Sequence, residues 1–128
     1  MYQPSTLSPA LLTKALLRAV EQLGLVASLP PILRASPEEA AQLQSGARLL
    51  DPARPEWDAA LKVVALFRSS VEMLGTAERA RIWLGTENET LGGRPADLLA
   101  SPDAELVYRY ISSVRKHEIR MPPGRRGH

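Results

Sequence analysis

From Glu56 onward, apolar residues fall at successive steps of three and four: Trp57, Leu61, Val64, Phe67, Val71 and Leu74, with Val63, Leu66 and Met73 beside them. That spacing is the period of an α-helix with one apolar face, and it predicts a central core helix ended by Gly75. Asp58 and Lys62, and Arg68 and Glu72, are opposite charges four residues apart, so each pair shares a surface away from the stripe. Upstream, Leu12, Ala15, Leu16, Ala19, Val20 and Leu23 repeat with the same period. Ser8-Pro9 opens that helix, a capping residue followed by a proline suited to the first turn, and Gly24 closes it. Leu25, Leu29, Ile32 and Leu33 fit a short helix with Pro30 and Pro31 in its first turn, because neither fits an interior. Ser36, Pro37 and Glu39 have the spacing of a capping box, which starts a helix running to about Gly46. Downstream, Thr76 caps a helix carrying Ala80, Trp83 and Leu84, and Pro95 to Leu99 makes a short one. Ser101-Pro102-Asp103 is expected to start the last, packed inward by Leu106, Val107, Tyr110, Ile111 and Val114. No stretch alternates with the period of two that a half-buried strand requires. The expected fold is therefore all-α, with about six or seven helices and a core built around Trp57–Leu74 and Trp83.

Leu49-Leu50-Asp51-Pro52-Ala53-Arg54-Pro55 is rich in proline and reads as a linker. It separates an N-terminal region, 1–50, from a helical region, 55–115. Residues 116–128 form a basic tail, and Met1 to Ser8 a loose arm. Helix, short helix, turn and helix between Pro9 and Gly46 have the outline of a helix-turn-helix unit. Its chemistry departs from that outline. A recognition helix meets bases and phosphates with Arg, Lys, Asn and Gln, whereas Pro37 to Ser45 holds Glu38 and Glu39 and no cation. Gln42, Gln44 and Arg48 are the candidate DNA contacts, and binding through them is expected to be weak, since cations supply most non-specific affinity. The unit reads as a degenerate helix-turn-helix that serves packing or dimerisation.

Composition narrows the chemistry. The 128 residues are 45% hydrophobic and 23% charged, enough for an ordinary soluble core. Cysteine is absent, which removes disulfides and thiol catalysis and fits a reducing cytoplasm. No apolar run is long enough to span a membrane, and no signal peptide is visible. The net charge is +2. From Arg115 onward there are five basic residues against Glu118 alone, so residues 1–114 stand at −2 and the basicity belongs to the tail. The two histidines, His117 and His128, both lie in that tail, and no histidine-acid set has metal spacing on a helix. Gly92-Gly93 follows no predicted strand, so it is not a phosphate cradle. Adjacent glutamates such as Glu38 and Glu39 point about 100° apart on a helix and do not face each other as an acid and base would. No nucleophile has a histidine base nearby. These absences argue against an enzyme, and no cofactor is expected.

The most informative stretch runs from Arg79 to Leu99. A short helix carrying Trp83-Leu84 breaks at Gly85, Asn88 and Leu91 sit inside the break, Gly92-Gly93 turns the chain, and Pro95 starts a new helix. Asn88 is expected to bond local backbone and Leu91 to point inward. Arg81, Trp83, Leu84, Asn88, Leu91, Gly92, Pro95, Leu98 and Leu99 fill a spaced pattern that resembles the C-terminal toxin-binding domain of the Xre/MbcA/ParS antitoxins. The resemblance extends to about Val114, and more weakly back to about Leu11. It implies an antitoxin that binds a RES-domain toxin, one that consumes NAD or uses it to modify targets, and blocks its cleft sterically. It also implies a helix-turn-helix unit upstream. Trp83, Leu84, Leu91, Gly92, Pro95 and Leu98 would form the structural motif. Arg81, Asn88, Arg94, Tyr110, Arg115, Lys116 and Arg120 would contact the toxin; the last three lead into the basic tail, which reads either as a cationic plug for a cleft that must hold a pyrophosphate or as a disordered end that helps solubility. A DNA-binding regulator and a homodimeric helical adaptor are the alternatives.

Overall fold

The structure, a computed structural model, describes residues 8–120, with side chains for residues 8–114. The arm before Ser8, the segment 121–128 with Arg125, Arg126 and His128, and the side chains of Arg115, Lys116, His117 and Arg120 lie outside the described residues. Among the described residues, seven α-helices follow in order: α1 (Pro9–Leu23), α2 (Leu29–Leu33), α3 (Pro37–Ser45), α4 (Pro55–Leu74), α5 (Ala77–Leu84), α6 (Pro95–Leu99) and α7 (Ala104–Arg120). A 3-10 turn, Val26–Ser28, leads into α2. There is no strand among the described residues, so the all-α expectation holds. None of the described helices is long and apolar enough to cross a membrane. The chain forms two compact units, residues 1–65 and 66–128, and α4 runs through the point of division.

The helix boundaries follow the capping chemistry. Ser8 Oγ accepts the N–H of Leu11, and Gly24 ends α1 at φ 72°. Ser36 and Glu39 form the complete capping box: Ser36 Oγ accepts from the Glu39 N–H at 3.1 Å, and the Glu39 carboxylate accepts from the Ser36 N–H at 3.0 Å. Thr76 Oγ1 accepts from the Arg79 N–H and starts α5. The third Ser-Pro pair behaves differently. Ser101 Oγ accepts from the Asp103 N–H and donates to the Leu98 carbonyl, so 101–103 is a turn and α7 begins after it, at Ala104. Here the serine satisfies groups on both sides instead of capping one helix. α2 stops at Arg34, which takes φ 57° without being glycine.

In the first unit, α1 and α2 flank the 3-10 turn and α2 packs on α3. The buried residues are Leu12, Leu16, Ala19, Val20 and Leu23 of α1, then Leu25, Leu29, Ile32, Leu33, Ala40, Leu43 and Leu50. Leu50 lies in the Pro-rich segment read as a linker, yet it is buried, and its N–H donates to Thr13 Oγ1 at 2.9 Å. The second unit packs in sequence, α5 on α6 and α6 on α7, around Leu66, Ala80, Leu84, Pro95, Leu99, Val107 and Ile111.

The apolar stripe of α4 is rotated from its expected position. Its buried line is Glu56, Ala60, Val63, Leu66 and Ser70. Trp57, Val64, Phe67, Val71 and Leu74 are half-buried, and Leu61 is exposed. The expected core anchors Trp57 and Phe67 therefore lie at the edge of the packed face. Two adjacent apolar lines on one helix share the same period, and periodicity alone does not say which is central. Of the polar members of the buried line, Ser70 is satisfied locally, its Oγ donating to the Leu66 and Phe67 carbonyls, and Glu56 by Arg48 and the Asp51 N–H outside the helix.

Candidate functional site

The helix–loop–helix from α5 to α6 is held mainly by its own backbone and by Asn88. The Asn88 N–H donates to the Gly93 carbonyl at 2.9 Å, and the Asn88 carbonyl accepts from the N–H groups of Gly92 and Gly93. Its side-chain Oδ1 accepts from the Leu91 N–H at 3.1 Å. One asparagine thus pins both ends of a tight loop, as expected from the break between the helices. Gly92 takes φ 81°, a conformation that a β-carbon disfavours, so the turn requires glycine there. Leu91 is half-buried and Pro95 buried in the first turn of α6. Replacing Asn88 with alanine is expected to cost about 1 kcal/mol, because the Leu91 N–H loses its partner. Chemical denaturation of the variant checks this, and an unchanged midpoint would contradict the structural role.

The Trp-Leu pair divides its labour. Leu84 is buried, whereas Trp83 is half-buried and stacks on Tyr110 of α7, with ring centroids 6.0 Å apart and planes 10° from parallel. Trp83 is thus a link between helices, not the core anchor expected from the sequence. Offset stacking at this distance is favourable for two rings. The other residues read as toxin contacts are dispersed. Arg81 is two positions from Trp83, hence on the other side of α5, where it lies 4.0 Å from Glu78. Arg94 Nε donates to Asp97 at 3.0 Å in the first turn of α6. Leu98 is half-buried. Tyr110 alone of the described candidates joins the aromatic pair.

The candidate DNA contacts lie in the first unit. Gln42 and Gln44 are exposed on α3, and so is Glu38, while Glu39 pairs with Arg54 at 2.9 Å. The bonds from the Ser36 N–H and from Arg54 hold the Glu39 carboxyl below its ordinary range. Arg48 is committed elsewhere: Nη1 and Nη2 donate to the two oxygens of Glu56 at 3.0 and 2.8 Å, and Nη1 also donates to the Leu49 carbonyl. Meeting a phosphate would require giving up those bonds. The buried Glu56 was not legible as a site from sequence. The one signal is its place in the first turn of a helix, eight residues after an arginine. No group of metal-ligating side chains occurs among the described residues.

Residues 69–116, from the end of α4 through most of α7, match the family model described as the antitoxin Xre/MbcA/ParS C-terminal toxin-binding domain. The match bears out the resemblance carried by Arg81, Trp83-Leu84, Asn88, Leu91-Gly92, Pro95 and Leu98-Leu99. No curated protein matches the chain.

Proposed function

We propose, from the premise that residues 69–116 are a toxin-binding domain of the Xre/MbcA/ParS antitoxin family, that this chain neutralises a RES-domain, NAD-using toxin by covering its active-site cleft. The observation that carries the reading is the match itself, over a segment whose motif residues form one helix–loop–helix scaffold. The region 55–115 would hold the toxin. Arg115, Lys116 and Arg120 belong to the last turns of α7. That segment would act as a plug, excluding the dinucleotide by occupying its space and pairing with carboxylates of the toxin. The alternative, a DNA-binding regulator, gains nothing from α3, which offers phosphate no cation of its own.

The test is to look for a RES-domain toxin in the neighbouring reading frame and to co-express it with this chain, measuring complex formation and cellular NAD. The full chain is expected to form a stable complex and to prevent NAD loss. A chain cut after Val114 should still form the complex and inhibit substantially less. Full inhibition by the shortened chain would assign the blocking to the helical body alone. Absence of a complex with the full chain would overturn the reading.

A further inference from the structure

Burial along α5 and α7 sets the direction in which each helix faces its unit. On α5, Ala80 and Leu84 point inward. At about 100° per residue, Trp83 then lies to one side, Arg79 further round on that same side, and Ile82 outward. On α7, Val107 and Ile111 point inward. Tyr110 lies to one side, Leu106 further round, and Arg109 outward. The Trp83–Tyr110 stack brings these two sides together. The seam between the helices is therefore floored by two aromatic rings, with Arg79 and Leu106 on its banks and Ile82 and Arg109 on the outer crests. Ile82 is 57% exposed and Leu106 44%, and they are the exposed large aliphatic residues of this unit among the described residues. Arg79 and Arg109 are exposed, and neither forms an ion pair among the described residues; Arg79 reaches only the Leu74 carbonyl, at 3.5 Å.

We propose that the strip Ile82–Trp83–Tyr110–Leu106 is the docking surface for the toxin, and that the toxin meets it with an apolar projection bordered by carboxylates. The proposal rests on the toxin-binding reading above, and it adds the place and the chemistry of contact. Three observations favour this occupant. The strip lies wholly within residues 69–116, matched to a toxin-binding domain. Its flanks carry the cations Arg79 and Arg109 beside the exposed acids Glu78 and Glu105, and the cationic excess comes from the sequence beyond the strip, which from Arg115 onward holds five basic residues against one acid. The stacked rings are held in place before binding, so little side-chain entropy is lost when a partner covers them. Trp and Tyr in such positions are the residue types that dominate binding energy in protein interfaces.

The experiment uses the full chain and the toxin that forms a complex with it in the co-expression test above, in a catalytically silenced form. Ile82→Glu and Leu106→Glu place a carboxylate on exposed positions, so the melting temperature should stay near that of the unmodified chain. Each should weaken binding by at least about tenfold in calorimetry. Arg109→Glu should weaken it as well, and should reduce its dependence on salt. Thr90→Ala, in the exposed part of the loop, should leave binding unchanged. Leu106→Ser, which adds no charge, provides a second variant should a glutamate disturb the fold. Undiminished binding by Ile82→Glu, Leu106→Glu and Leu106→Ser overturns the docking surface and leaves the toxin-binding reading standing. No binding by the unmodified chain overturns both. If Leu106→Glu instead converts a dimer to a monomer in ultracentrifugation while toxin binding persists, the strip is a contact between copies and the proposal fails.

Discussion

Replacement of Glu56 by alanine is expected to destabilise the first unit by about 3 kcal/mol, the lower end of the cost of breaking a buried ion pair. Glu56 is 2% exposed, and its carboxylate accepts from both terminal nitrogens of Arg48 and from the Asp51 N–H at 2.9 Å. These bonds tie the chain just after α3 to the first turn of α4. Removing the carboxylate strands the Arg48 guanidinium, whose Nε is already buried without a partner among the described residues. The low end of the range applies because Arg48 keeps some exposure to water. The double variant Arg48→Met, Glu56→Leu should cost less than Glu56→Ala, because it leaves no buried charge. The pH dependence has a definite sign. The hydrogen bonds from Arg48, more than any other cause, hold the Glu56 carboxyl below its ordinary value of 4.5, despite the opposing effect of burial. The folded state therefore binds this proton less tightly than the unfolded chain. Its contribution is full above about pH 4.5 and is lost as pH falls through the depressed value. Urea denaturation should show the largest gap between native chain and variant near neutrality, closing in acid. A gap independent of pH would mean that packing, not charge, holds this corner.

Leu84→Ala is expected to cost about 2–5 kcal/mol, the range for emptying a fully enclosed leucine site. Leu84 is 1% exposed, in the last turn of α5, beside a core assembled from few side chains. A small core has little spare material to collapse into the void, which places the loss toward the upper part of the range. Trp83→Ala should cost less than the roughly 3–5 kcal/mol of a fully buried aromatic, because one side of the ring already faces water. The functional signatures should also separate. Leu84→Ala weakens toxin binding in proportion to the fraction unfolded and recovers on cooling toward maximal stability. Trp83→Ala, if folded, weakens binding at every temperature. Thermal melts of the two variants beside binding isotherms at two temperatures decide between these outcomes, and a Leu84→Ala protein with an unchanged melt would refute its place in the core.

Local chemistry determined much of this protein from sequence alone. Ser8, Ser36 and Thr76 start helices because a hydroxyl oxygen within three residues of free N–H groups has few other places to bond. Gly24 and Gly92 end or turn the chain because positive φ excludes most side chains. The spaced motif from Arg81 to Leu99 was legible because its residues act within one short loop: Asn88 finds its partners within five positions. The stripe of α4 was legible as a helix but not in its orientation. The deepest line includes Glu56, Ala60 and Ser70, which no hydrophobic pattern selects. Glu56 can be buried because Arg48, outside the helix, pairs with it, and Ser70 because its hydroxyl bonds back to the preceding turn. Thr13 and Leu50 are 37 residues apart, and their hydrogen bond exists only once both segments are in place. The same holds for Trp83 and Tyr110. Sequence marks both as aromatic residues with helical spacing, which suits a core. Only the placement of α5 and α7 about α6 decides that they stack, because that choice depends on which residues the two helices turn inward.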